Sequence, residues 1–147
     1  MIRHATHDDI GACLEMGRAF FDESGFGAET TLDAETTAAT LARLVDSADG
    51  VLLVVETDGL IGMAGALAYP HYFNADSLTA QELFWWVRPE SRGGSAGVRL
   101  LQALEAWAMG RGCTTITMVC LPIDSPAEDV YQRVGYRASE RSYIKRL

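Results

Sequence analysis

The chain has little cysteine, little proline and no long apolar run. Its 147 residues include 3 cysteines (Cys13, Cys113 and Cys120) and 4 prolines. An odd number of thiols without a C-x-x-C pair speaks against a disulfide framework and against a structural zinc site. No apolar stretch approaches the ~20 residues that a membrane-spanning helix requires. The opening MIRHATHDDI also lacks the apolar centre of a secretory signal. A reduced, cytoplasmic protein without a membrane or metal partner is the expectation. Basic residues are in deficit as well, with 12 Lys and Arg against 20 Asp and Glu and a net charge of −8. Nucleic-acid binding wants a basic face, so no nucleic-acid partner is expected. An acidic surface suits a cationic substrate such as an amine, but keeping the protein soluble is the plainer role of this charge. Repeats, low-complexity segments and linkers are missing too, so residues 1–147 should form a single domain.

What is present reads as alternating strands and helices. Ile2–Ala5 is a short strand. Thr6 and Asp9 have the spacing of a helix start, followed by Ile10, Cys13, Leu14, Phe20 and Phe21 at helical intervals. A second helix covers about 34–45. The run from Val51 to Glu56 reads as a central buried strand, and Asp58-Gly59 as the turn that sends residues 60–69 back beside it. Residues 70–80 are expected to be a loop carrying His71, Tyr72 and Phe73, and residues 81–88 the next strand. Beyond a glycine-rich turn, Val98, Leu101, Leu104 and Ala108 mark a helix stripe. A strand over 114–121 follows. Ser125, Pro126 and Glu128 then read as the capping box of a helix with Ala127, Val130, Tyr131 and Val134 on one face. The tail from Tyr136 has room for one or two strands. The order β-α-α-β-β-β-α-β-α-β defines an α/β domain with a mixed sheet.

The stretch 83–111, LFWWVRPESRGGSAGVRLLQALEAWAMGR, carries the chemistry. A strand that feeds through glycines into a helix start presents unpaired N–H groups and a favourable dipole to an anion, so a phosphorylated ligand is expected there. No Lys-Ser/Thr follows the glycines, which excludes a P-loop. The spacing R-G-G-S-A-G is not G-x-G-x-x-G either.

Val87, Pro89, Arg92, Gly93, Ala96, Gly97, Leu100 and Leu101 resemble the acyl-CoA signature of the GNAT (Gcn5-related) N-acetyltransferases, V-x-P-x-x-[RQ]-G-x-G-[IA]-G-x-x-L-L. Downstream, Ala127, Tyr131, Gly135 and Tyr136 are similar to that family's A-x-x-x-Y-x-x-x-G-[FY] helix, and Arg3–Ile10 to its opening R-x-A-T-x-x-D-I. The one departure is Ser95, where the family usually has glycine; a serine serves if its φ is negative, and Gly94 beside it supplies freedom. The resemblance implies a mixed, mostly antiparallel sheet with helices on both faces. It implies transfer of acetyl from acetyl-CoA, as co-substrate, to a primary amine of a small molecule or peptide by direct attack. The alternative is a CoA-binding regulatory module with little turnover. A homodimer is also implied.

By the same resemblance, backbone N–H groups of Arg92, Gly93, Gly94, Ser95, Ala96, Gly97 and Val98 hold the pyrophosphate, and the pantetheine arm lies along the strand ending at Val87 and Arg88. The Val87 N–H then polarises the thioester carbonyl. Tyr131 also contacts the cofactor and is the acid for the departing thiolate, although its spacing alone would make it a core tyrosine. Arg92 is either a phosphate ligand or a solvated loop arginine. An amine with a pKa near ~10 needs help to lose its proton at neutral pH. Glu82 is the candidate base, against an ordinary exposed carboxylate at a strand start. A regular pleat puts Glu82, Phe84, Trp86 and Arg88 on one face and Gln81, Leu83, Trp85 and Val87 on the other, unless a bulge intervenes. Trp85 and Trp86 read as core and pocket wall, and Cys120 as a buried, inert thiol rather than an acyl carrier. Phe26, Tyr72 and Phe73 are the candidate acceptor-site residues, and they do not name a substrate.

Overall fold

The structure, a computed structural model, describes residues 1–121 and 126–147. In chain order the elements are β1 (Ile2–His4), α1 (Ile10–Ser24), α2 (Ala34–Asp46), β2 (Gly50–Glu56), β3 (Leu60–His71), β4 (Asn74–Val87), α3 (Ala96–Gly110), β5 (Cys113–Thr117) and α4 (Ala127–Arg133). The five strands form one sheet in the order β1-β2-β3-β4-β5. Every neighbouring pair is antiparallel except β4 and β5, which are parallel. This is the expected mixed sheet.

The continuous apolar run of β2 is buried on both sides, as expected for a central strand. Leu52 and Val54 face α1 and α2, packing with Cys13, Met16, Leu41, Leu44, Met63 and Trp86. Val51, Leu53 and Val55 face α3, packing with Ala64, Ala66, Val87, Leu100 and Leu104. Each helix buries one apolar stripe, and the sheet between them supplies both walls. At the first helix start, the Thr6 N–H donates to Asp9 Oδ2 at 2.8 Å. Arg3 clamps the same carboxylate at 2.7 and 3.0 Å and reaches Glu56 at 2.8 Å, tying β1 to the end of β2.

Residues 70–80 are not a loop. β3 runs on to His71, β4 begins at Asn74, and their pairing leaves only Tyr72 and Phe73 at the tip. Pro70 is compatible with this because β2 pairs with β3 only as far as Leu67. Beyond it β3 overhangs, and the missing proline N–H faces an open edge. The expected tail strands are absent from the described residues. Residues 136–147 have no regular structure, and Arg137, Glu140, Arg141, Lys145 and Arg146 leave no apolar face long enough to cover a sheet. β5 stops at Thr117, short of the expected 121. The expected cap at Ser125 falls outside the described residues.

The register of β4 departs from a regular pleat at one place. Phe84 lies opposite Gly65 and Glu82 opposite Ala66, so Leu83 is an extra residue and the strand bulges. Ala64 and Ala66 share the α3 side of the sheet, and their partners are Trp85 and Glu82. Glu82 is thereby turned to the same face as Trp85 and Val87, not to that of Phe84 and Trp86. Phe84 in turn packs closely over Gly65. A Cβ there would meet Phe84 Cζ at 2.5 Å and Leu44 Cδ1 at 2.9 Å. Gly65→Ala should therefore destabilise the protein by about 1–3 kcal/mol in denaturant unfolding, through overpacking. Ala at Gly11, which meets nothing within 4 Å, should not.

Candidate active site

The site forms where β4 loses its neighbour. β4 pairs with β5 only from Leu78 to Gln81, yet continues six residues further to Val87. On the other side it stays paired with β3. The Arg88 N–H donates to Ile61 O at 2.8 Å, and Val87 lies opposite Gly62. In an antiparallel ladder the bonded and non-bonded pairs alternate, so the main-chain groups of Val87 and Trp85 point away from β3, toward the gap. The Val87 carbonyl confirms that direction by accepting from Arg92 Nε at 2.7 Å.

Glu82 stands at the top of the gap. It is buried, 6% exposed, and its carboxylate accepts the Val119 N–H at 2.9 Å. Burial raises its pKa to about 7, with the Val119 bond acting in the opposite direction. Tyr131, from α4, donates its hydroxyl to the carbonyl of the same Val119 at 3.0 Å. Its pKa lies far above the ordinary phenol value, through burial and through the nearby negative charge of Glu82. One peptide segment outside any strand thus ties together the two titratable groups singled out in the sequence. Val119 was not singled out, and its role is a main-chain one that no side-chain pattern signals.

Below the gap lies the glycine-rich turn. Gly93 has φ +85°, a conformation that favours glycine, and Ser95 has φ −83°, so the serine departure costs the backbone nothing. Trp85 holds the turn from beneath, its indole N–H donating to Gly97 O at 2.9 Å. A Cβ on Gly97 would meet the same indole at 3.1 Å. The Trp85 ring lies 5.5 Å from that of Tyr131, linking the turn to the top of the gap. Arg92 does not hang free in solvent. Besides Val87 O it bonds Glu23 at 2.7 Å, and its guanidinium lies 5.5 Å above the Trp86 ring. Arg88 likewise turns back to Leu60 O at 3.0 Å. Both side chains brace the backbone around the turn. Ala96 and Val98 begin α3, whose first N–H groups are directed into this region.

The candidate acceptor residues are not brought together. Phe26 packs edge-on against Phe20 at 5.9 Å and lines a groove of about 660 Å³ beside β4. Tyr72 and Phe73 sit at the hairpin tip, 77% and 85% exposed, and do not line that groove. Cys120 is exposed rather than buried, because the chain has left β5 three residues earlier.

The sheet thus opens between its two parallel strands, with the glycine-rich turn and the start of α3 beside the gap. The chain belongs to the acetyltransferase (GNAT) family, whose model matches residues 15–136. It is similar to aminoglycoside N(6')-acetyltransferase type 1 of Stenotrophomonas maltophilia, 27% identical over 140 residues that make up 93% of this chain and 82% of that protein. Among solved structures, AAC(6')-Iy in complex with the bisubstrate analogue CoA-S-monomethyl-acetylneamine superposes with TM-score 0.83 at 18% identity, covering 100% of this chain and 97% of that one. A predicted acetyltransferase from Clostridium acetobutylicum, solved with acetyl-CoA, superposes with TM-score 0.78 at 20% identity, covering 99% and 94%. The chain is an acetyl-CoA-dependent N-acetyltransferase. No helix among the described residues is long and apolar enough to cross a membrane.

If Trp85 supports the turn as this geometry requires, Trp85→Phe should raise the Kd for CoA roughly tenfold, the loss of about one hydrogen bond. Calorimetric titration with CoA measures it, and the thermal midpoint should fall by only a few degrees.

Proposed function

We propose that the protein acetylates a primary amine of a small molecule by direct attack on acetyl-CoA, with Glu82 as base, Tyr131 as acid and the open edge of β4 as the thioester site. The observation that carries the reading is the convergence of Glu82 and Tyr131 on Val119, at the point where β4 and β5 part.

The pyrophosphate is held by the main-chain N–H groups from Arg92 to Val98, at the start of α3. Arg92 and Arg88 contribute by fixing the backbone, since their guanidinium groups are engaged with Val87, Glu23 and Leu60. The pantetheine arm pairs with β4 as an added strand. Val87 offers one outward N–H to it, and Trp85 offers the next, two residues nearer Glu82. A donor of this edge polarises the thioester carbonyl and stabilises the oxyanion that forms on attack.

The incoming ammonium first loses a proton to Glu82. A carboxylate with a pKa of about 7 is better matched to this task at neutral pH than an exposed one. The free amine attacks the carbonyl carbon, a C–N bond forms, and the C–S bond breaks as the oxyanion collapses. Glu82 passes the first proton to solvent, the sulfur leaves as a thiol with a proton from Tyr131, and the second proton of the nitrogen returns to the Tyr131 phenolate. The phenol is well suited to that step because its raised pKa keeps it protonated. To donate, it must exchange its bond to Val119 O for one to the thiolate.

Glu82 must be ionised to act, so kcat/KM should rise between pH 6 and pH 8 and level off above. Glu82→Gln should lower kcat about 100-fold or more and remove that rise; a variant that keeps the full rise would place the base elsewhere. Tyr131→Phe should lower kcat by a similar factor while leaving CoA binding within about twofold. Stability gives a second readout. The folded state holds the Glu82 proton up to about pH 7, whereas an unfolded glutamate releases it near its model value of 4.5. Folding therefore takes up a proton between these values, and stability falls as pH rises through them. The Tm of Glu82→Gln minus that of the parent protein should be larger at pH 8 than at pH 5.

A further inference from the structure

Between the α1–α2 connection and the bulge of β4 lies an open groove of about 660 Å³. That volume is within the ~300–1,000 Å³ common for small-molecule sites. Its walls are Phe20, Phe21, Phe26, Met63, Leu83 and Phe84. The walls are held in place. Ser24 donates to Phe21 O at 2.8 Å and accepts the Phe26 N–H at 3.1 Å, which closes the end of α1 and sets Phe26 against Phe20. Leu83, the extra residue of the bulge, remains 40% exposed and lines the groove next to Glu82 in the chain. It stands two residues from Trp85, whose N–H faces the gap.

The polar part of the lining, Thr30, Thr31, Asp33, Thr36 and Thr37, lies on the side of the α1–α2 connection and the start of α2, and part of it is bonded within the protein. Asp33 is the carboxylate of the groove, and its Oδ1 caps α2 by accepting the Thr36 N–H at 2.7 Å. The Thr37 hydroxyl donates to Asp33 O, also at 2.7 Å. A ligand rich in hydroxyl and ammonium groups would turn several of them against phenyl rings without partners. An apolar body would be matched by the phenyl rings along most of its length, with its charged end toward Leu83, the neighbour of Glu82 in β4.

We infer that the acceptor is a primary amine on a compact apolar body, an arylalkyl or branched alkyl amine, seated in the groove formed by Phe20, Phe21, Phe26, Leu83 and Phe84. The inference rests on the acetyltransferase mechanism above. It departs from the aminoglycosides after which the relatives of this chain are named. The acidic charge of the chain serves both kinds of amine; the groove separates them. The apolar body fills the space between the phenyl rings and Met63. The ammonium lies toward β4, on the side where the thioester is presented.

The test uses the full chain with acetyl-CoA and follows thiol release for 2-phenylethylamine, isopentylamine, neamine and spermidine. The kcat/KM for 2-phenylethylamine should exceed those for neamine and spermidine by roughly 30-fold or more, and isopentylamine should fall between. Leu83→Asn should raise the KM for 2-phenylethylamine about tenfold and leave the KM for acetyl-CoA within twofold. Neamine or spermidine turned over as well as 2-phenylethylamine would overturn the inference. So would an unchanged KM for 2-phenylethylamine in Leu83→Asn. The wild-type ranking stands even where that variant folds poorly. Calorimetry with CoA separates the two levels of failure. CoA binding with a polar acceptor preferred overturns the acceptor class alone, and CoA binding with no turnover of either apolar amine does the same. Absence of both CoA binding and turnover would overturn the acetyltransferase mechanism and the acceptor class together.

Discussion

Glu82 occupies the point where β4 and β5 part, and its carboxylate accepts the Val119 N–H that a continuing ladder would have paired with β4 main chain. A side chain has replaced a strand at that position. The sheet can therefore open without leaving this donor unpaired, and unpaired buried donors are costly. The open edge of β4 is the consequence. So is the placement of a carboxylate in surroundings apolar enough to raise its pKa to about 7. Geometry and acid–base chemistry at the site thus share one cause.

The bulge at Leu83 makes this arrangement possible. Without the extra residue, Glu82 would share the face of Phe84 and Trp86 and point into the core beneath α1 and α2. With it, Glu82 joins Trp85 and Val87 on the α3 side, near Tyr131. The same insertion leaves Leu83 and Phe84 adjacent on the groove. One backbone irregularity therefore places the buried carboxylate on one side of the sheet and the apolar groove on the other.

Trp85 couples the two ends of this region. Its indole N–H fixes Gly97 at the start of α3, and its ring lies against Tyr131. Arg92 does a comparable job on the outer side, joining the turn to Val87 and to Glu23 of α1. Bracing of this kind keeps main-chain donors oriented before a ligand arrives, which is where electrostatic stabilisation of a transition state is most effective.

Much of this was legible in the residues alone. The buried run of β2, the Asp58-Gly59 turn, the glycine-rich junction and the helix stripe before Tyr131 are local patterns, and each reports a local backbone choice. The mixed sheet followed from their order, and the helices on both faces from the resemblance to the acetyltransferase motifs. Three features were not legible. The long β3–β4 hairpin replaced an expected loop because Pro70 sits on an overhang, a fact about the length of β2 rather than about residues 70–80. The bulge was undetermined because a one-residue slip leaves no mark in composition yet turns a side chain to the other face. Val119 was invisible because it acts through its peptide group. Sequence patterning determined most of the elements and marked the glycine-rich turn before α3 as the candidate anion site. Only tertiary pairing decided where β4 lost its neighbour, and with it which carboxylate was buried, which N–H groups stayed open and which phenyl rings came together to line a groove.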